Sequence, residues 1–394
     1  MSFQIALSAL QAINTQLDSI SNNIANTGTT GYKSSRTNFS AMYASSAPNG
    51  VQAASSTQTM DIAGGLLSTG RNLDVAISGN GYFMVKDSTG VTNYTRTGIF
   101  DVDTNGNLVD HMGRQVQGFQ MGGDTDTLGA MGTLNVPTGQ IPAKASSKVS
   151  FVGNLSSDWK APATTPFSPT EASSYNSSTV SVVYDSLGGQ HTVTQYFVKQ
   201  ADGSVAVHYY QEKDALGEGK LQFTKAGELD ADNSTVPELT ITAAGANDIS
   251  VKFGYSGTTQ FAGDTSTTTN SADGYASGSM VNVSIGNDGA VNVQYSNGMT
   301  QRVGKLALAS FRSESGLAVV DGTSWQATAA SGVALVGTPG SGQYGEIASQ
   351  QLEQSNVEVA TELVDLMGAQ RNYQANTKVI SAEQEIMQSL MQAI

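Results

Sequence analysis

Apolar residues recur at strict sevens at both ends of this chain, and that spacing decides what the ends can become. Phe3, Leu10, Leu17 and Ile24 form one register, and Ala6, Ile13 and Ile20 form a second, three places on. Together they make a narrow a/d stripe on a helix whose other faces are Gln, Ser, Asn, Thr and Asp. Val359, Leu366, Tyr373, Ile380, Met387 and Ile394 repeat the spacing at the far end. With Leu7, Leu363 and Leu390, these seam residues other than Ala6 are the candidate subunit contacts. A seam this narrow, on two helices separated by nearly the whole chain, predicts helices that pack against other copies.

The lengths sharpen the point. The first helix is predicted to end near Asn26, with Gly28 as a left-handed C-cap, and spans about 36 Å. The second is predicted to start at a capping box, Ser355-Asn-Val-Glu358. It runs about 39 residues, or nearly 60 Å. The shorter helix cannot cover the longer one, so the remainder needs a partner in another subunit. Isolated, both ends are expected to fray, because little local interaction offsets the cost of helix nucleation.

A chain of 394 residues holds two to three domains. Charged residues make up only 13 % and the net charge is −14, which excludes nucleic acid as a partner because phosphates are repelled. Cysteine is absent, so disulfides and thiolate metal sites are excluded. No basic segment precedes an apolar run at the N-terminus, where the first positive charge is Lys33. No apolar run approaches the roughly 18 residues of a membrane span. The expectation is a chain without a cleaved signal peptide, either cytoplasmic or exported by a machine that reads other features.

Proline placement maps the interior. None of the eight prolines lies before Pro48 or after Pro339, and six fall between Pro137 and Pro237. Exclusion of this helix breaker from both ends supports the terminal helices. Residues 34–70 are Ser, Ala, Thr and Gln with few large apolar groups and read as an extended connector. Strand patterns follow at 73–77, 81–85 and 94–100, then a hairpin through Asn105-Gly106. Further strands at 180–184, 192–198, 205–210, 239–241 and 249–253 lie in a stretch, 146–277, with 14 acidic against 7 basic residues. Strands resume from Gly278 and are expected to close the first β domain around the second.

The predicted fold class is therefore mainly β with long terminal α-helices. Two β domains, the outer inserted in the inner, stand on an N-/C-terminal coiled-coil stalk. The domains are expected at 1–27 with 356–394 (stalk), 28–70 with 346–355 (connector), 71–145 with 278–345 (inner) and 146–277 (outer, acidic).

Chemistry-bearing motifs dissolve on inspection. Asp101-Val-Asp103-Thr-Asn105-Gly106-Asn107 imitates the opening of a calcium loop, but Met112 stands where the bidentate glutamate belongs. Gly79-Asn-Gly81 lacks the third glycine and the helix of a phosphate loop. His111, His191 and His208 show no metal-ligand spacing, and no Gly-x-Ser-x-Gly elbow occurs. No catalytic, metal or cofactor residue is expected, and aromatics in the outer domain read as few and scattered.

Three stretches resemble the flagellar rod–hook family of axial proteins, its hook-type members in particular. The first is Ser21-Asn22-Asn23-Ile24-Ala25-Asn26 followed by Thr30-Gly31-Tyr32-Lys33. The second is Asn72-Leu-Asp-Val-Ala-Ile-Ser-Gly-Asn-Gly-Tyr-Phe83, with Tyr94-Thr-Arg-Thr-Gly98 and Phe100 downstream. The third pairs Ser355-Asn-Val-Glu358 with Ala369-Gln-Arg-Asn-Tyr-Gln-Ala-Asn376. Tyr184-Asp-Ser-Leu-Gly-Gly-Gln-His-Thr-Val193 favours hook-type over rod-type members, as does the 146–277 insertion. Between about 200 and 277 the likeness is weak.

The resemblance implies a homopolymer, a short curved tube that works as a universal joint passing motor torque to the filament. It implies an extracellular place on the bacterial flagellum and delivery through the flagellar type III export apparatus. Hook cap, distal rod and hook–filament junction proteins are the implied partners, with no nucleic acid, membrane or cofactor. A distal rod protein is the nearest alternative, and a surface adhesin one of another class.

Overall fold

The computed structural model describes residues 2–44, 47–122, 127–243 and 245–393. Ile394, named among the seam residues, lies outside them. The chain is mainly β with one helix near each terminus. It forms two compact units, one of Met1–Thr138, Asn282–Gln294 and Thr300–Ile394, the other of Gly139–Val281 and Tyr295–Met299. Among the described residues, no helix is long and apolar enough to cross a membrane.

In the first unit, helix α1 covers Ser2–Ala25 and helix α2 covers Val359–Ala393. The end of α1 corrects the glycine cap. Asn26 Nδ2 donates to the Asn22 carbonyl at 2.8 Å and Thr27 Oγ1 to the Ile24 carbonyl at 3.0 Å, so side chains satisfy the last turn. Gly28 keeps an ordinary backbone, and the left-handed residue is Gly31, φ 71°. The start of α2 corrects the capping box. Ser355 Oγ accepts from the Val357 amide at 3.3 Å, and the helix begins only at Val359, where the Glu362 amide first reaches the Glu358 carbonyl. Asn356 explains the delay: its amide group is drawn into hydrogen bonds with Ser34, Thr59 and Ile62.

Residues 34–70 are not a bare connector. Strands β1 (Ser35–Ala44) and β2 (Ala47–Gln58) pair antiparallel, with register shifts after Asn38 and Met42. The hairpin lies along α1, where Ser19 Oγ donates to the Ser35 carbonyl at 3.0 Å and the Val51 amide to Ser8 Oγ at 3.3 Å. Ser35 and Ser56 hydroxyls meet across the strands at 2.7 Å, and Asn38 donates to Ser55 and Thr57. Polar cross-strand pairs replace an apolar face, which is why the pattern carries no strand signal.

The sheet of this unit runs in the order 300–306, 115–121, 82–86, 92–95, 324–326, 318–319. Strands from either side of the long central stretch are therefore neighbours, as the returning-strand reading requires. Tyr82 is the hub of the core: Trp325 meets it edge-on at 5.6 Å and Phe311 at 6.1 Å, while Tyr94 packs on Phe311 at 4.7 Å.

The second unit packs two sheets. One has the order 238–241, 249–254, 148–154, 266–272, and the other is a five-stranded meander from Ser177 to Thr235. Alternation explains the burial: Val149 and Phe151 on one strand, and Ile249, Val251 and Phe253 on another, point into a shared core with Phe197 and Tyr209. A buried hydrogen-bond chain crosses that core, from Tyr209 to Tyr255 at 2.9 Å, to Gln195 at 2.5 Å and on to Ser181 at 2.7 Å. Every link is satisfied, and burial drives both tyrosines up from their ordinary range.

One local device recurs in both units. Asp87, Asp103, Asp110 and Asp185 each use Oδ1 to accept the amides two and four residues on, at 2.7–3.0 Å. A glycine with positive φ follows three residues after each: Gly90, Gly106, Gly113 and Gly188. The loop resembling a calcium site is one of these, its Asp103 carboxylate committed to the turn.

Candidate polymerisation interface

The two terminal helices meet inside one chain. Asn23 Nδ2 donates to Glu362 Oε1 at 2.9 Å, and Ile13, Leu17, Ile20 and Ile24 cluster with Leu366 and Ala369. The end of α1 thus meets the start of α2 while earlier turns of α1 meet later turns of α2, so the pair is antiparallel. On α2 the partly shielded positions are 362, 366, 368, 376, 380 and 383, with Ala369 fully buried; all but 368 fall on a heptad stripe facing α1. Around this cluster the seams are satisfied from within, which corrects the expectation that only neighbouring molecules fill them. Ile13, Ile20, Leu17, Ile24, Leu366, Leu10 and Ile380 are buried or half-buried.

Length mismatch leaves the far end of α2 bare. Met387 and Leu390 on the overhang of α2 are each 57 % exposed, and Ile386 and Met391 beside them are exposed too. Phe3, Leu7, Val359, Leu363 and Tyr373 are also exposed. Single exposed apolar side chains are ordinary, but a helix end apolar on several faces is an unfilled contact.

The signature residues at the root of the helices do different work. Asn23 is buried, and its carbonyl oxygen accepts from the Ser35 amide at 2.8 Å and the Tyr32 hydroxyl at 3.3 Å. Gly31 is required where it stands, since a Cβ there meets Thr97 Oγ1 at 2.8 Å. Lys33 is fully buried and donates to Glu353 Oε1 and the Ile62 carbonyl, both at 2.7 Å. Burial pulls the Lys33 amine down, opposed by the Glu353 carboxylate. Glu353 also holds Arg96 at 3.3 Å and accepts the Gly64 amide. Arg96 in turn lies 5.2 Å over the Tyr82 ring. One carboxylate joins the N-terminal signature, the β body and the lead-in to α2. Asn22 and Ala25 are exposed, and Ile24 and Asn26 half-buried.

Glu353 was not legible as a site residue, because nothing local distinguishes it from other acids. Burying Lys33 is the signal that requires it. A cleft of about 550 Å³ opens beside α1, bordered by Asp18, Asn22, Gln58, Glu314 and Trp325.

In the second unit the aromatics are not scattered. Phe167 stacks on His208 at 4.1 Å and touches Tyr175, Tyr196 and Tyr210, all half-buried. The members alternate along neighbouring strands or sit in a proline-rich loop, so no single stretch reveals them. Phe167 itself fills the cluster. Among the described residues, no group of three or more His, Cys, Asp or Glu is placed to hold a metal ion.

Family models match four stretches of the chain. A model described as Flagella basal body rod protein matches residues 3–33, and Flagellar basal body rod FlgEFG protein C-terminal matches 348–393. Flagellar hook protein FlgE/F/G D1 domain matches 76–156, and Flagellar basal body protein FlaE D2 domain matches 154–275. The flagellar hook protein FlgE of Salmonella typhimurium is 39% identical over 402 residues, 99% of each chain. That of Escherichia coli is 38% identical over 401 residues, again 99% of each chain, and that of Borreliella burgdorferi 30% over 439, covering 98% of this chain and 97% of the relative. A crystal structure of a Helicobacter pylori flagellar hook protein superposes with a TM-score of 0.57, covering 73% of this chain and 100% of that one. Its 15% identity speaks for the fold alone. With relatives this similar from end to end, the chain belongs to the flagellar hook protein family.

Proposed function

We propose that this chain is the structural subunit of a bacterial flagellar hook, a homopolymer forming a short curved tube that transmits torque as a universal joint. The observation that carries the reading is the bare end of α2, apolar on several faces and beyond the reach of α1. Copies of the α1–α2 pair form the inner wall, where heptad packing resists twist. The 146–277 domain, with half of the net negative charge, offers polar surfaces that make wet contacts of modest energy with other copies. The 28–70 and 346–355 segments, including the hairpin laid along α1, join the helix pair to the 71–145 and 278–345 domain.

Hook cap, distal rod and hook–filament junction proteins are its neighbours at the ends, and the flagellar type III apparatus exports it without a cleaved signal. Electron microscopy of the purified full chain at high concentration tests this. Curved hollow tubes are expected, and a chain that stays as discrete particles under all conditions overturns the reading.

A further inference from the structure

The helix pair is electrically asymmetric. Asp18 is the only charged side chain of α1, and Arg371 and Lys378 are the only cations of α2. All three are exposed. Helical geometry turns Asp18 about 100° from the seam residue Leu17, and Arg371 about 140° from the seam residue Leu366. Asp18 therefore faces out from the α1 flank of the pair and Arg371 from the α2 flank. With Asn23 opposite Glu362 in the antiparallel pair, Asp18 stands level with residue 367 or so, and Arg371 lies about four residues, or roughly 6 Å, further along the axis.

Neither has a partner of its own among the described residues: Arg371 Nε reaches only the Met367 carbonyl of its own helix, at 3.4 Å. Asp18 borders the 550 Å³ cleft, whose lining includes a second carboxylate, Glu314, and no lysine or arginine.

We propose that Arg371 of one copy pairs with Asp18 of the next, so that the partner of this surface is a second copy of this chain. Acid on one flank and base on the other make the contact heterologous. A heterologous contact repeats without limit, which a self-complementary one does not, and it builds an open helical polymer. The pair also sets register, because the guanidinium fits the carboxylate bidentately at one height only. Lys378, two turns along the same face, lies next in line for the acidic cleft.

The inference rests on the polymer reading, and one experiment separates the two. Critical concentrations for assembly of full-length wild type, Asp18→Lys, Arg371→Asp and the double exchange are measured by sedimentation. Far-ultraviolet circular dichroism of each monomer reports folding. Each single reversal is expected to raise the critical concentration about tenfold or more, and the double exchange to restore it to within about threefold. The milder pair Asp18→Asn and Arg371→Gln serves if a reversal unfolds the helices, with about a threefold rise expected for each and loss of the wild type's salt dependence. Variants that assemble like wild type, or a folded double exchange as defective as the singles, overturn the ion pair alone. A wild type that never assembles overturns both readings.

Discussion

Lys33 Nζ and Glu353 Oε1 stand 2.7 Å apart with each side chain only 1% exposed. Removing the carboxylate strands two buried cations, Lys33 and Arg96, whereas removing the lysine leaves Glu353 still paired with Arg96. Glu353→Gln is therefore expected to destabilise the first unit by about 3–5 kcal/mol, and Lys33→Met by less. Denaturant titrations of both variants check the order. Stability of the Gly139–Val281 unit should be unchanged, because the substitutions lie outside it.

Glu362 carries the pH dependence of the helix junction. Burial raises its pKa above 4.5, opposed by the Asn23 amide and reinforced by Asp365. A carboxyl raised on folding contributes stability that is complete below its unfolded pKa and is lost as pH rises through the folded one. Melting followed at 222 nm should occur at higher temperature at pH 4.5 than at pH 7, once compared with Glu362→Gln, in which that difference disappears.

The aspartate turns have the opposite sign. The Thr89 hydroxyl and nearby amides hold Asp87 below 3.8, and His191 does the same for Asp185. Their contribution is present above 3.8 and is lost as pH falls through the depressed values. Asp87→Ala and Asp185→Ala should each lower the melting temperature at pH 7, by a difference from wild type that shrinks as pH falls below 3.8.

The bare end of α2 gives a sharp boundary. Amides beyond about residue 384 should exchange with deuterium within seconds in the dilute monomer, while those facing α1 are protected. Assembly should protect both. Deleting the overhang should leave most of the helical signal in place and abolish sedimentable polymer.

Removing the 146–277 domain probes the joint. The shortened chain is expected to polymerise, because the helix pair is intact, into tubes of altered curvature. Straight or differently bent tubes in the microscope bear this out, and loss of all assembly would refute it.

Periodicity made the helices legible: Leu17, Ile20, Leu366 and Ile380 announce themselves at every seventh place. It could not say what they touch, because a seam looks the same whether its partner is another molecule or the far end of one chain. The 35–58 hairpin was hidden because serine and threonine pairs, with the Ser8 and Ser19 side chains of α1 tying down its backbone, stand in for apolar contacts. Ser355 and Glu358 carried the right residue types for a cap, and Asn356 between them took the backbone elsewhere. The Phe167 cluster escaped notice because its rings come from two strands and a loop that only tertiary structure brings together.

The pairing of Lys33 with Glu353 spans 320 positions of sequence. A ribosome delivers the amino-terminal motif long before the acid that neutralises it. Until that late segment emerges, Lys33 has no dry place to go and Asn23 no Glu362 to hold. The leading end can therefore gather only its near neighbours, Tyr32 and Ser35 among them, while the chain is being made, and completing the molecule is what closes it.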